Sequence, residues 1–141
     1  MHALQMRAFA EEGRRLGTTD ILPLTETVAT IADDVRRHTA LVARVDGVIV
    51  GCIRGIVGDG ACSIRALVVE PAHHGRGIGS RLLRALEDAV PGVGRFKLTT
   101  NPVMEGNVPF YERHGYHVTE ITQHSPTITL AQMAKRVARE G

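Results

Sequence analysis

The sequence predicts a single α/β domain, residues 1–141, in which a central mixed sheet is flanked by helices. Two dipeptides that favour tight hairpins, Asp46-Gly47 and Asp59-Gly60, separate three strand-like stretches, so the sheet is expected to start antiparallel. A helical segment then leads to a fourth strand, and this connection is long enough for a parallel crossover. With 43 % hydrophobic and 23 % charged residues, a chain of 141 residues can bury the core of one globular domain.

The first forty residues are predicted to form two amphipathic helices. About residues 3–16 repeat apolar side chains at helical spacing, and Thr25 is a suitable N-cap for a second helix with one apolar face. Three strands are expected next, at residues 40–45, 48–57 and 61–69.

The middle of the chain is predicted to add one helix and one strand. Apolar residues at helical spacing predict a helix over about residues 78–90, which Pro91-Gly92 ends. Residues 95–100 alternate charged and apolar side chains, as a half-buried strand does.

The last forty residues are predicted to hold a short helix and two closing strands. Asn107 is expected to cap the helix, with Pro109 in its first turn and Gly115 at its end. The strands are expected at residues 116–121 and 127–130, and the polar tail after them is expected to fray.

Charge and cysteine content narrow the function classes. The net charge of +2 is too small to indicate a nucleic-acid-binding protein by itself. No apolar run is long enough to cross a bilayer and no signal peptide is visible, which favours a cytoplasmic location. Cys52 and Cys62 are expected to be reduced, buried residues. His73-His74 has no carboxylate or cysteine at suitable spacing, so no metal site is expected.

The most informative segment is the loop between the third strand and the helix that follows it. Gly75, Gly77 and Gly79 occur there at alternate positions. Glycines let a ligand approach the main chain closely, and the first turn of a helix offers N–H groups to an anion. The pattern therefore favours a pyrophosphate-bearing cofactor, and the alternative is a glycine-rich loop that binds nothing.

Two common nucleotide-binding motifs do not fit this loop. A P-loop needs Lys followed by Ser or Thr after its last glycine, where this chain has Ser80-Arg81. The Rossmann fingerprint needs a glycine or alanine at Ser80 and an acidic residue after the next strand, where Thr99-Thr100-Asn101 lie.

Two blocks of sequence occur in a fixed order, LVVEPAHHGRGIG at residues 67–79 and NVPFYERHGY at residues 107–116, with one helix and one strand between them. The ordered pair resembles the GNAT superfamily of acyl-CoA N-acetyltransferases, whose cofactor motif is Arg/Gln-x-x-Gly-x-Gly/Ala. The resemblance covers about residues 40–130. It implies the GNAT fold and an enzyme that moves the acetyl group of acetyl-CoA, as acyl-donor substrate, to a primary amine.

The chain departs from that family's pattern at two points. His74 lies where Arg or Gln is usual, and although an imidazole can hydrogen-bond a phosphate, such a contact becomes pH-dependent. The family's strand before the first helix is missing, so either the start is truncated or one edge of the sheet is empty. Because an unpaired edge invites pairing with a partner, a homodimer is expected.

The resemblance also implies roles for individual residues. Tyr111 would be the catalytic acid that protonates the departing thiolate. Main-chain groups of Leu67 and Val69 would bond the pantetheine, and the loop amides with Arg76 would hold the pyrophosphate. The implied cofactor site comprises Leu67, Val68, Val69, His74, Gly75, Arg76, Gly77, Ile78, Gly79, Ser80 and Asn107.

Other interpretations stay open on the sequence alone. Tyr111 also fits a core aromatic, and Asn107 a plain helix cap. The carboxylates of the first two helices, with His117 and Glu120, fit either a site for a cationic amine or a solvated face, and no general base stands out. The alternative functions are a non-catalytic acyl-CoA-binding domain and, with less support, a phosphate- or nucleic-acid-binding module.

Overall fold

The computed structural model describes residues 3–5, 29, 32–33, 37–102, 106–126 and 128–137. Within these ranges six strands form one sheet: β1 (Thr39–Val45), β2 (Val48–Gly58), β3 (Ala61–Val69), β4 (Arg95–Thr100), β5 (His117–Ser125) and β6 (Ile128–Arg136). The same ranges contain a 3-10 turn at Pro71–His73 and the helices α1 (Ile78–Ala89) and α2 (Asn107–Arg113).

The sheet has the strand order β1-β2-β3-β4-β6-β5. β1 and β2 are antiparallel, and the residues that join them, Asp46 and Gly47, both have positive φ angles (51° and 79°), as the hairpin dipeptide predicts. β3 and β4 are parallel with α1 in their connection, and β6 is antiparallel to both β4 and β5. The predicted mixed sheet flanked by helices, with its parallel crossover, is confirmed.

The chain folds as two compact units, and β3 contributes to both of them. The first unit comprises residues 1–56 and 64–91, and the second comprises residues 57–63 and 92–141. The glycine-rich loop and α1 therefore belong to the first unit, whereas α2 belongs to the second.

The core of the first unit lies beneath α1. Leu82, Leu83 and Leu86 are buried, at the spacing that places them on one side of a helix. Burying a leucine contributes about 1.5–3 kcal/mol, so these three account for much of the helix's attachment. Gly51 on β2 lets α1 lie close, because a Cβ at that position would come within 3.0 Å of the Leu82 Cδ1 atom.

The core of the second unit follows the alternation predicted for β4. Phe96 and Leu98 are buried while Arg95 and Lys97 are exposed. Among the described residues of this unit, the other buried apolar side chains are Ala61, Cys62, Val93, Tyr116, Ile128, Ala131 and Met133.

The end of the chain differs from the expectation. The last strand was expected at residues 127–130 with a frayed tail, but β6 continues to Arg136 and β5 continues to Ser125. β5 pairs with β6 from Ile128 to Ala134, and β4 pairs with it from Ala131 to Arg136. Main-chain pairing therefore extends to the end of the strand, and the charged side chains of Lys135 and Arg136 do not prevent its formation.

The two predicted N-terminal helices are helical at the positions that the structure describes, which are residues 3–5, 29, 32–33 and 37. Thr25 and most of the predicted apolar stripes lie outside the described residues. In the part of the chain that the structure describes, β1 is the first strand and forms one edge of the sheet. None of the helices within the described ranges combines the length and the apolar character needed to cross a bilayer.

Candidate functional site

The end of β3 is irregular at the residues expected to face the pantetheine. Ala66 has a positive φ of 51°, which is uncommon for a residue with a side chain and marks a local distortion of the strand. The pairing of β3 with β4 runs from Ala61↔Arg95 to Ser63↔Lys97, so the later residues of β3 lie outside this ladder. The main chain of Leu67 to Val69 therefore does not pair with β4, and the Val69 carbonyl oxygen lies 2.9 Å from His74 Nε2.

The loop after β3 is a compact turn built on its glycines. The 3-10 turn Pro71–His73 follows Glu70, and Gly75 and Gly77 both have positive φ angles, 80° and 75°. These φ angles favour glycine at both positions. A Cβ added at either glycine would have no atom within 4 Å, so the space beside the loop is open.

Gly77 is also the N-cap of α1. It has a left-handed conformation, and its carbonyl oxygen accepts a hydrogen bond from the Arg81 N–H over 3.1 Å. No side chain caps this end of the helix, and its first turn contains no acidic residue. Since the first N–H groups of a helix have no acceptor within it, this end suits an anion, and an acyl-CoA diphosphate matches that requirement.

The basic side chains of the loop contact the loop itself. The His74 Nε2 atom lies 2.9 Å from the carbonyl oxygen of Val69, and the Arg76 Nη1 atom lies 3.1 Å from His73 Nδ1. A guanidinium can only donate, so His73 Nδ1 is the acceptor of this hydrogen bond. The structure thus places His74 in a protein contact at the end of β3.

Tyr111 lies on α2 in the second unit, partly buried among other aromatic rings. Its ring centroid is 5.1 Å from that of Phe110 and 5.9 Å from that of Tyr116, both in edge-to-face geometry. Its carbonyl oxygen accepts hydrogen bonds from the N–H groups of His114 and Tyr116, which close the end of the helix. Desolvation by burial raises the pKa of the Tyr111 phenol well above its ordinary value, so the hydroxyl is protonated at physiological pH.

Asn107 does not cap α2, and that expectation is wrong. Gly106 is the N-cap, no side chain hydrogen-bonds this end, and Asn107 is the first helical residue. Its Nδ2 atom instead donates to the carbonyl oxygen of Asn101 over 3.5 Å. Pro109 lies in the first turn and Gly115, with φ 91°, follows the helix, as predicted.

Few of the residues considered for the acceptor side lie in the described ranges. Asp33 forms an i,i+4 ion pair with Arg37 (3.1 Å) on an exposed surface, which favours a solvated face. His117 and Glu120 are exposed on β5. The other acidic residues considered from the sequence lie outside the described residues: Glu11, Glu12, Glu26 and Asp34.

A buried polar pair in the first unit was not foreseen from the sequence. Arg54 on β2 is fully buried, and its Nη2 atom donates to Oε1 of Gln5, itself buried, over 3.0 Å. The sequence did contain a signal for a buried charge, since Arg54 is the one charged residue within the apolar run at residues 48–57. A buried arginine is retained only with partners, so this position ties the N-terminal helical residues to the sheet.

The structure brings most of the implied cofactor residues together. Residues 67–69 and 74–80 form one continuous strand-loop-helix segment in the first unit. Asn107 and Tyr111 lie together on α2 in the second unit.

Comparison with protein families identifies this arrangement. Residues 36–118, more than half of the chain, match the model described as "Acetyltransferase (GNAT) domain". The chain belongs to the GNAT acetyltransferase family. No curated protein sequence matches this GNAT chain significantly.

Solved structures of other family members share the fold. The PaiA N-acetyltransferase from Thermoplasma acidophilum, in complex with coenzyme A, superimposes with a TM-score of 0.78 at 15 % identity, covering 96 % of this chain and 90 % of that one. The ribosomal-protein-S18-alanine N-acetyltransferase from Escherichia coli gives 0.75 at 19 % identity (82 % and 80 % covered). A GNAT family acetyltransferase from Elizabethkingia anophelis with acetyl-CoA bound gives 0.68 at 16 % identity (79 % and 84 %).

Proposed function

We propose that this protein is an N-acetyltransferase that moves the acetyl group of acetyl-CoA to a primary amine by direct attack on the thioester. The observation that carries the proposal is the glycine-rich turn between β3 and α1, with its two positive-φ glycines and a helix end free of acidic residues. Coenzyme A and acetyl-CoA occupy two of the similar structures, which supports acetyl-CoA as the acyl donor.

In this proposal the first unit binds the donor mainly through its main chain. The N–H groups from Gly75 to Ser80 hold the diphosphate at the start of α1, and Arg76 adds a charge-assisted contact once it leaves His73. Main-chain groups of Leu67 and Val69, beyond the ladder with β4, bond the amides of the pantetheine. This arrangement orients the thioester for attack.

Tyr111 acts on the leaving group. The neutral amine adds to the thioester carbonyl, the nitrogen loses its extra proton to solvent, the C–S bond breaks, and the sulfur leaves as a thiolate that the Tyr111 hydroxyl can protonate. Because burial raises the pKa of Tyr111, complete proton transfer to a thiolate of ordinary basicity is unfavourable. Its contribution is therefore a hydrogen bond to the charge that develops on the sulfur, which raises the rate by about 10²-fold.

The remaining expectations also belong to this proposal. We propose that the chain works as one domain over residues 1–141 in the cytoplasm, with Asn107 orienting the neighbouring groups or contacting the donor. The homodimer expected from an empty sheet edge stays a prediction, which sedimentation equilibrium would test.

Binding and turnover experiments separate this proposal from its rivals. We expect acetyl-CoA and CoA, but not oligonucleotides, to raise the melting temperature, and we expect an amine panel to release free CoA thiol. Binding without turnover across a broad panel would instead indicate a non-catalytic acyl-CoA-binding domain. Absence of any CoA thioester binding would overturn the proposal.

A further inference from the structure

We propose that His74 is a positioning residue, which holds the last peptide group of β3 in place for the donor. In this role the imidazole does not contact phosphate. The inference rests on the proposed function, because it takes acetyl-CoA as the ligand of the glycine loop.

The peptide group between Val69 and Glu70 is held from both sides. Its N–H, on Glu70, donates to the Val50 carbonyl oxygen over 2.7 Å. Its carbonyl, on Val69, lies 2.9 Å from the Nε2 atom of His74. These two hydrogen bonds fix the plane of the peptide where the strand ends and the loop begins.

A defined peptide plane matters at this point because the flanking backbone is irregular. Ala66 lies three residues before Val69 with φ 51°, and Gly75 and Gly77 follow with φ 80° and 75°. The Val69–Glu70 peptide lies between these distortions, just before the turn that the His73 N–H closes by donating to the Glu70 carbonyl oxygen over 2.8 Å. Without the imidazole the Val69 carbonyl loses its partner, and the loop more often adopts conformations that do not fit the donor.

The chemistry of the contact separates a positioning role from a phosphate contact. A carbonyl oxygen only accepts, so the hydrogen lies on Nε2 of His74, and it stays there when the ring becomes an imidazolium. The contact to the Val69 carbonyl therefore does not involve the phosphates of the donor, whereas a phosphate contact requires a ligand that carries them. The other titratable groups of this turn are Glu70, His73 and Arg76, and the last two contact each other.

Two substitutions test the role through binding alone. His74→Gln keeps an N–H donor, as do the Arg and Gln usual at this position in the family, whereas His74→Leu removes it. We expect His74→Leu to weaken CoA binding by about fivefold, and His74→Gln to stay within about twofold of the wild type, measured by isothermal titration calorimetry. His124→Leu, at an exposed position on β5, is the matched control.

The choice of ligand provides the decisive comparison. For a positioning role, the ratio of dissociation constants between His74→Leu and wild type should be similar for CoA and for pantetheine, which has no phosphate. A ratio that vanishes with pantetheine would show a phosphate contact and overturn the inference, as would unchanged CoA binding by His74→Leu. Failure of the wild type to bind CoA would instead overturn the proposed function.

Discussion

Burial determines the protonation of two side chains, Tyr111 and Cys52. Desolvation raises the pKa of the Tyr111 phenol, and it raises the pKa of the Cys52 thiol to about 11 even though Arg54 lies near enough to lower it. Both groups therefore keep their protons at physiological pH. For Tyr111 this preserves a hydrogen-bond donor, and for Cys52 it preserves an unreactive thiol inside the first unit.

Tyr111→Phe should lower kcat by about 10–100-fold, because it removes the donor to the leaving sulfur while keeping the ring and its packing. Because its pKa is raised, the phenol should not cause a loss of kcat below about pH 10. Steady-state kinetics across pH 6–10 would measure both effects. Tyr116→Phe removes a hydroxyl from the ring beside Tyr111 and serves as the control. Turnover equal to wild type at every pH would remove the acid role.

The raised pKa of Cys52 predicts a loss of stability in alkali. The folded state holds the thiol proton more tightly than the unfolded state does, so this stabilisation is complete below the unfolded pKa near ~8.5 and is lost as pH rises toward 11. We expect the unfolding free energy to fall by up to about 3 kcal/mol, as measured by urea denaturation between pH 8 and 11. Cys52→Ala should fall less over the same range. Parallel pH curves for the two proteins would contradict the shift.

At the level of elements, the turn between β3 and α1 combines a glycine-dependent backbone with the start of a helix. Gly77, with φ 75°, ends the loop and is the N-cap of α1, whose first N–H groups have no acceptor within the helix. That first turn contains no acidic side chain, so none of its own residues offsets the positive end of the helix dipole.

Gly77→Ala tests whether this turn holds the donor. A side chain at φ 75° costs about 1–2 kcal/mol, so the backbone should relax and CoA affinity should fall by at least tenfold in calorimetric titrations. Gly47→Ala is a matched control, because Gly47 has φ 79°, equally open space and a position in the β1–β2 hairpin. Equal CoA affinity for the two variants would show that the loop conformation is irrelevant to binding.

At the scale of the whole molecule, the two compact units each have a core of their own. Leu83 is fully buried in the first unit and Phe96 in the second. The proposal of one domain over residues 1–141 requires that these cores melt together.

Leu83→Ala and Phe96→Ala should each lower the temperature of one shared unfolding transition. The cavities cost about 2–5 and about 3–5 kcal/mol, respectively. Calorimetry should show a single peak whose calorimetric and van't Hoff enthalpies agree. Two separate transitions, each moved by only one of the variants, would show that the units unfold independently and that the single-domain proposal is wrong.

Local patterns were enough to predict much of this fold. The dipeptides Asp46-Gly47 and Asp59-Gly60 placed the first hairpins, because their turn conformations depend on neighbouring residues alone. The alternation around Phe96 and the apolar spacing in α1 identified buried faces for the same reason. The glycine spacing at residues 75–79 and the block at residues 107–116 were sufficient to indicate the family.

Other features of the fold depend on contacts that form only in the folded chain, and the tertiary structure alone reveals them. β6 reaches Arg136 because β4 pairs with its last residues, which the charged end of the strand does not reveal. Arg54 is buried because Gln5, forty-nine residues away, accepts its hydrogen bond. His74 contacts the end of β3 because the glycine turn directs its ring back to Val69. Sequence periodicity records which residues are apolar and how they are spaced, whereas such polar partners are selected only when the folded backbone brings them within hydrogen-bonding distance.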